Sequence, residues 1–214
     1  MNTRRNFVRL AFGSFLGVGF VLSPLFSTLQ RGWAATRKIL ATGTKRESLV
    51  NENPAALDAT NLEITPLEDF GTMGPTDRVV DLNTWRLEVS GHVKRPLSLK
   101  HSQITALPAI ERKVLLICPG FFVNYGRWKG VSIKGLLQLA ELDRAAAQVS
   151  IAEKGGKTAR YPLADILSEK IFLAYQVNGK DLPRKHGFPL RVVAEDSYGS
   201  DWVKYVDKIT VETT

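Results

Sequence analysis

Apolar and polar positions alternate with period two across Trp85-Arg86-Leu87-Glu88-Val89, which predicts a half-buried strand ended by Gly91. After Lys113 the pattern changes to a continuous apolar run, Val114-Leu115-Leu116-Ile117. That predicts a buried strand finishing on Cys118, where Pro119-Gly120 breaks it. Helical spacing places Ile133, Leu136, Leu137 and Ala140 on one face, and Ser132 stands where an N-cap belongs. Further strands are predicted at 149–151, 171–177, 188–193 and 208–211, and a short helix at 163–167. Asn178-Gly179, directly after the 171–177 strand, is a strong hairpin signal. Trp128 reads as a core anchor before a turn at Gly130-Val131.

Short strands with a few helices, and no regular strand-helix alternation, predict a single strand-rich α+β domain rather than a doubly wound one. Residues 36–60 are polar, carry no hydrophobic period, and read as an extended arm or linker; residues 61–214 form the domain. At the N-terminus, Thr3-Arg4-Arg5-Asn6-Phe7-Val8 has the charged head of a twin-arginine export signal. An apolar run over 10–29 and the small-residue stretch Gly32-Trp33-Ala34-Ala35 complete its anatomy, so 1–35 is read as a signal peptide, with an uncleaved membrane anchor as the alternative. This predicts a periplasmic or otherwise extracytoplasmic protein that engages the twin-arginine machinery.

The 214 residues carry a formal charge of +8. Removing the four arginines before Thr36, where no acid stands, leaves +4 on the remainder. Those basic residues are dispersed among acids, with no basic stripe interleaved with aromatics, which argues against nucleic-acid binding. A phosphate loop is excluded as well: in Gly155-Gly156-Lys157-Thr158 the first glycine of the motif would fall on Ile151, and the segment reads as a lysine-containing turn. His92, His101 and His186 have no metal-ligand spacing, and no Gly-x-Ser-x-Gly elbow occurs. Cys118 is the only cysteine, so it makes no intramolecular disulfide. By itself it is a buried small hydrophobe, an intermolecular bridge, or a thiolate used as ligand or nucleophile.

Three segments resolve that choice. They are Leu116-Ile117-Cys118-Pro119-Gly120 leading to Arg127-Trp128-Lys129-Gly130-Val131, the string from Asn178-Gly179 to His186-Gly187-Phe188-Pro189-Leu190-Arg191, and Tyr198-Gly199-Ser200-Asp201-Trp202-Val203-Lys204. Together they resemble the sulfite-oxidase superfamily of molybdenum enzymes, including its exported methionine-sulfoxide reductases. Leu67-Glu68-Asp69-Phe70-Gly71-Thr72 and the Trp85 strand resemble the entry segment of that reductase branch. The resemblance implies a molybdenum-molybdopterin cofactor, with Cys118 as the soft thiolate ligand beside the pterin's own sulfurs. It also implies that His186 and Arg191 contact the pterin and its phosphate, that Trp202, Val203 and Lys204 touch the cofactor, and that Asp69, Phe70 and Glu153 occupy pterin-lining positions. Two positions depart from the branch: Pro66 stands where an asparagine is usual, and Glu153 replaces a threonine.

Sulfite oxidases follow the metal-binding cysteine with arginine and append a second, immunoglobulin-like domain. Here Pro119-Gly120-Phe121-Phe122 follows Cys118, and an apolar rim suits a neutral substrate better than a dianion, unless Arg127 and Arg184 fold back toward the metal. The implied reaction is a two-electron oxygen-atom transfer, reducing a sulfoxide or related oxide. Oxidation of sulfite or another small anion, or a non-catalytic binding role, are the alternatives. With no Cys-x-x-Cys-His and no flavin fingerprint, electrons must come through a haem-containing membrane or soluble partner.

Overall fold

Strands form wherever the apolar pattern is clean, and the computed structural model describes them over residues 36–153 and 155–213. The twin-arginine segment and its cleavage region lie outside the described residues. In chain order the strands are β1 (Lys38–Ile39), β2 (Leu57–Asp58), β3 (Leu87–Gly91), β4 (Leu97–Leu99), β5 (Ala109–Cys118) and β6 (Phe122–Ser132). They continue as β7 (Gln148–Ala152), β8 (Thr158–Pro162), β9 (Ile171–Val177), β10 (Lys180–Asp181), β11 (Arg191–Ala194) and β12 (Lys208–Glu212). The helices are short: α1 (His101–Thr105), α2 (Ile133–Leu139) and α3 (Leu163–Leu167). The Ser132 hydroxyl caps α2 by accepting from the Gly135 amide at 3.1 Å.

Two five-stranded sheets carry the fold. In the first, β5 and β6 make a long antiparallel hairpin running from the Ala109–Val131 pair to the Cys118–Phe122 pair, so its tip presents Cys118. β9 pairs with the other edge of β6, and β10 and β11 share the far edge of β9. Asn178 and Gly179 both take positive φ, 52° and 77°, as a primed turn between β9 and β10 requires. In the second sheet, ordered β4-β3-β12-β7-β8, β12 lies parallel to β3 and antiparallel to β7. This mixed, strand-rich α+β arrangement is the predicted class.

The predicted Gly130-Val131 turn is instead a bulge inside β6. Gly130 is required there because a Cβ would fall 1.8 Å from the Leu173 carbonyl oxygen across the strand.

The continuous apolar run in β5 now has a cause: both of its faces are covered. Val114 and Leu116 point into the main core with Trp128, Leu87, Ile151 and Ile209. Leu115 and Ile117 point the other way, against Leu40, Leu49, Leu57 and Leu62. The segment read as an arm therefore buries Leu40, Leu49 and Leu57, with Leu62 just after it, on the back of the β5–β6 hairpin, through 3-10 turns at Arg46–Leu49 and Pro54–Ala56 and the β1–β2 pair. Its apolar positions fall at irregular spacing, which hides them from any period search. Buried Thr65 then stitches the chain to the hairpin: its amide donates to the Tyr125 carbonyl at 2.8 Å and its hydroxyl accepts from the Tyr125 amide at 2.9 Å. No helix among the described residues is long and apolar enough to cross a membrane.

Candidate cofactor-binding site

The tip of the β5–β6 hairpin forms one wall of a cleft of about 380 Å³. Cys118 lines it with Pro119, Phe121 and Phe122. Partial burial pushes its thiol up, while the nearby Lys157 ammonium draws it down. Met73 closes over this wall, its Sδ 4.0 Å from the cysteine Sγ. The rim is apolar and open to solvent, with Phe121 70% exposed.

A second part of the cleft lining is basic. Arg191 opens β11 and is 5% exposed, yet no carboxylate among the described residues pairs with it. Its Nη1 donates to the His186 carbonyl at 3.1 Å, and its guanidinium lies 5.0 Å from the Trp128 ring and 5.4 Å from the Trp202 ring. Burial lowers its pKa to about 10. Lys204 is held at about 8 by burial and by Arg191, with Glu153 opposing the shift. His186 sits near 4, first through burial and then through Arg191, Lys185 and Lys204, so its imidazole is neutral at pH 7.

Among the buried polar atoms at or just behind the cleft, His186 Nε2 and Arg191 Nε have no hydrogen-bond partner, and Glu153 Oε1 has only its ion pair with Arg78. A buried cation without a counter-charge and two unsatisfied buried nitrogens are costly unless a ligand completes them. An anionic, hydrogen-bonding group answers that need, and the phosphate and pterin of molybdopterin have this chemistry. The half-exposed thiol suits a soft metal, and among the described residues no cluster of three His, Cys, Asp or Glu side chains could hold a bare ion. A metal at Cys118 must therefore bring most of its own donors. The residues present fit the cofactor.

The predicted positions separate into three groups. Cys118, Glu153, Arg191, Trp202 and Lys204 line the cleft together. Phe70, His186 and Val203 are buried behind it: Phe70 packs between Trp128 and His186, at 5.8 and 5.7 Å, and the Val203 carbonyl accepts from the Val192 amide at 2.8 Å. Asp69 stands apart, exposed in the Leu67–Asp69 turn and not on the cleft wall. Arg127 and Arg184 also stay off the wall. Glu153 reaches the cleft with its carboxylate engaged by Arg78 at 2.5 Å. Trp128 is a core anchor, fully buried, and also a face for Arg191.

Thr72, Met73, Lys157 and Tyr205 line the cleft without having been singled out. Lys157 comes from the β7–β8 hairpin turn, and its ammonium donates to the Ser200 carbonyl. Its motif fails as a phosphate loop, and only the pairing of β7 with β12 and β8 brings it to Cys118.

Residues 73–214 match the family described as the oxidoreductase molybdopterin binding domain. The chain belongs to that family. The family binds molybdenum-molybdopterin, and its members here are oxidoreductases. Curated relatives include an uncharacterized oxidoreductase YuiH of Bacillus subtilis, 34% identical over 55% of this chain and 60% of that protein. The protein-methionine-sulfoxide reductase catalytic subunit MsrP of Gluconobacter oxydans is 29% identical over 70% of this chain and 58% of its own. Sulfite oxidase of Arabidopsis thaliana is 26% identical over 75% and 51%. This chain thus spans between half and three fifths of each. Among solved structures, the sulfane dehydrogenase SoxCD of Paracoccus pantotrophus shares the fold, with a TM-score of 0.62 at 17% identity, covering 94% of this chain and 57% of that one.

Proposed function

We propose that this member of the family is an exported oxidoreductase that carries out two-electron oxygen-atom transfer, reducing a sulfoxide or a related neutral oxide. The apolar rim around Cys118 carries the reading. Pro119, Phe121, Phe122 and Met73 line the cleft with the thiol, and the Met73 thioether lies 4.0 Å from it. A neutral sulfoxide loses little by entering such a rim, whereas a dianion there depends on compensating charge from elsewhere in the cleft. When bound, the cofactor supplies the two-electron redox chemistry that side chains lack.

The chain's own residues supply position and charge. Cys118 serves as the protein's metal ligand. Arg191 and Lys204 neutralise the cofactor's phosphate, and neutral His186 hydrogen-bonds the pterin through Nε2. Trp202 and Val203 fix the backbone beside the cofactor, with Phe70 wedging the histidine ring. Glu153 and Asp69 complete the surroundings, the first through Arg78. Electrons come from a haem-containing membrane or soluble partner, and the twin-arginine signature supports delivery of the folded, loaded chain to the periplasm.

A second reading, oxidation of sulfite or a similar small anion, is favoured by Lys157, whose charge acts on Cys118. Oxidation of a reduced viologen dye by a panel of sulfoxides and N-oxides, run beside sulfite oxidation with an artificial acceptor, separates the two. Sulfoxide-dependent turnover is expected; turnover with sulfite alone overturns the proposal. For export, Arg4→Lys with Arg5→Lys should retain the chain in the cytoplasm, and unchanged export would contradict the signal reading.

A further inference from the structure

We propose that residues 71–78 form a strap whose crown, Met73, screens the Cys118 sulfur and that the Arg78–Glu153 ion pair is its positioning clamp. The inference deepens the functional reading by naming what controls access to the reacting end of the cleft. Its test needs only the thiol.

The strap has no regular secondary structure, and its residues from Met73 onward are exposed. It is nevertheless tied at four points, one of them the Thr72 hydroxyl, which donates to the Lys185 carbonyl at 3.0 Å and accepts from the Lys204 ammonium at 3.3 Å. At its start, the buried Asn124 side chain reads both backbone groups of Gly71, accepting from its amide at 3.0 Å and donating to its carbonyl at 2.9 Å. In the middle, the Pro75 carbonyl accepts from the Lys204 ammonium, and the Tyr205 hydroxyl lies 3.1 Å from it while its shorter contact is to the Arg184 carbonyl at 2.8 Å. At its end, Arg78 reaches the Glu153 carboxylate at 2.5 Å and lies over the Tyr205 ring at 5.6 Å.

The Glu153 side chain is only 6% exposed, so this pair is unlike a solvent-screened surface bridge. Removing Arg78 leaves a buried carboxylate without its partner, a larger penalty than losing an exposed pair. Between the ties, Gly74 takes φ 75° and turns the chain so that the Met73 thioether lies 4.0 Å from the Cys118 sulfur. A methionine there is a pliable plug: unbranched, polarizable, and able to change rotamer as a substrate enters. The clamp fixes where the plug rests, and a substrate must fit the gap it leaves.

Because Cys118 is the only cysteine, its alkylation rate by iodoacetamide in the full chain, produced in a host that makes no pterin cofactor, reports directly on the strap. Rates are compared near neutral pH after division by each variant's own thiolate fraction, read from its ultraviolet absorbance, so that a changed thiol pKa has no effect. Met73→Ala and Arg78→Gln should each raise the corrected rate by about five-fold or more, as expected when a covering segment opens locally. Met73→Leu, which fills similar space, and Glu141→Gln, which breaks the exposed Arg95–Glu141 pair, should stay within about two-fold. Glu153→Gln should match Arg78→Gln; if that buried change unfolds the chain, Arg78→Gln decides alone.

Parent-like rates for Met73→Ala overturn the screen. Acceleration by Met73→Ala with Arg78→Gln at the parent rate overturns the clamp. A chain that binds no molybdenum yet shows both accelerations keeps this proposal while refuting the functional one.

Discussion

The wall bearing Cys118 and the wall bearing Arg191 treat charge in opposite ways. Around Cys118 the chain places Pro119, Phe121, Phe122 and Met73, and leaves the thiol half-exposed. Around Arg191 it buries a guanidinium against two indoles, with Lys204 and His186 nearby and no acid among the described residues to pair with the arginine. The first wall is a shaped opening that costs the fold little. The second stores unfavourable electrostatics that an anionic ligand relieves. Such a division suits a cofactor that carries both a soft metal and a phosphate.

The largest effect expected is on turnover. Cys118→Ala should lower dye-linked activity by a factor of about 10³ or more while shifting the melting temperature by only a few degrees, because the thiol is a small part of the core. Calorimetry showing outright loss of the fold would make the Cys118 wall structural and erase the contrast.

Next comes the basic wall. Arg191→Met should reduce pterin retained through gel filtration by roughly 100-fold, as loss of a buried charge-assisted contact implies. The same substitution should stabilise the cofactor-free chain by about 1–3 kcal/mol in urea, since it removes an uncompensated buried charge. A destabilised variant would show that the arginine is there for packing.

Leu49→Ala probes the hairpin from behind, where Leu49 packs in the cluster that includes Leu115 and Ile117. Truncating this buried leucine should cost about 2–3 kcal/mol of stability, read from the urea midpoint, with the retained pterin unchanged.

The smallest effect is with pH. The folded-state pKa of His186, about 4, lies below the ordinary 6.5, so between these values the unfolded chain binds more protons. Stability of the cofactor-free chain should therefore fall as pH drops through that window, by about 2 kcal/mol once allowance is made for water reaching the ring. His186→Gln should flatten this part of the profile, and an unchanged slope would assign it to other groups.

Much of the frame was legible because it rests on periodicity. β3, the end of β5, α2, β9 with its Asn178-Gly179 turn, and β12 follow from alternation, apolar runs and capping. β6 did not show, because Asn124, Gly126, Arg127, Lys129 and Gly130 interrupt its alternation, and what makes it a strand is pairing with β5 and β9. The packed leucines at 40, 49, 57 and 62 were hidden for a related reason: they answer to the back of a hairpin, not to a local period. In the site, Cys118, His186, Arg191 and Lys204 stood out through their motifs. Met73 and Lys157 reach the cleft only through tertiary pairing, which no local spacing encodes.

We propose above all that Cys118 is the protein's ligand to a pterin-bound molybdenum. Molybdenum-edge X-ray absorption of the chain purified from a molybdenum-replete host, beside Cys118→Ser, tests it most directly. The account predicts a molybdenum-containing protein whose sulfur shell loses one neighbour, or the metal altogether, in the variant. A folded parent chain without molybdenum, or an identical sulfur shell in both, would contradict it.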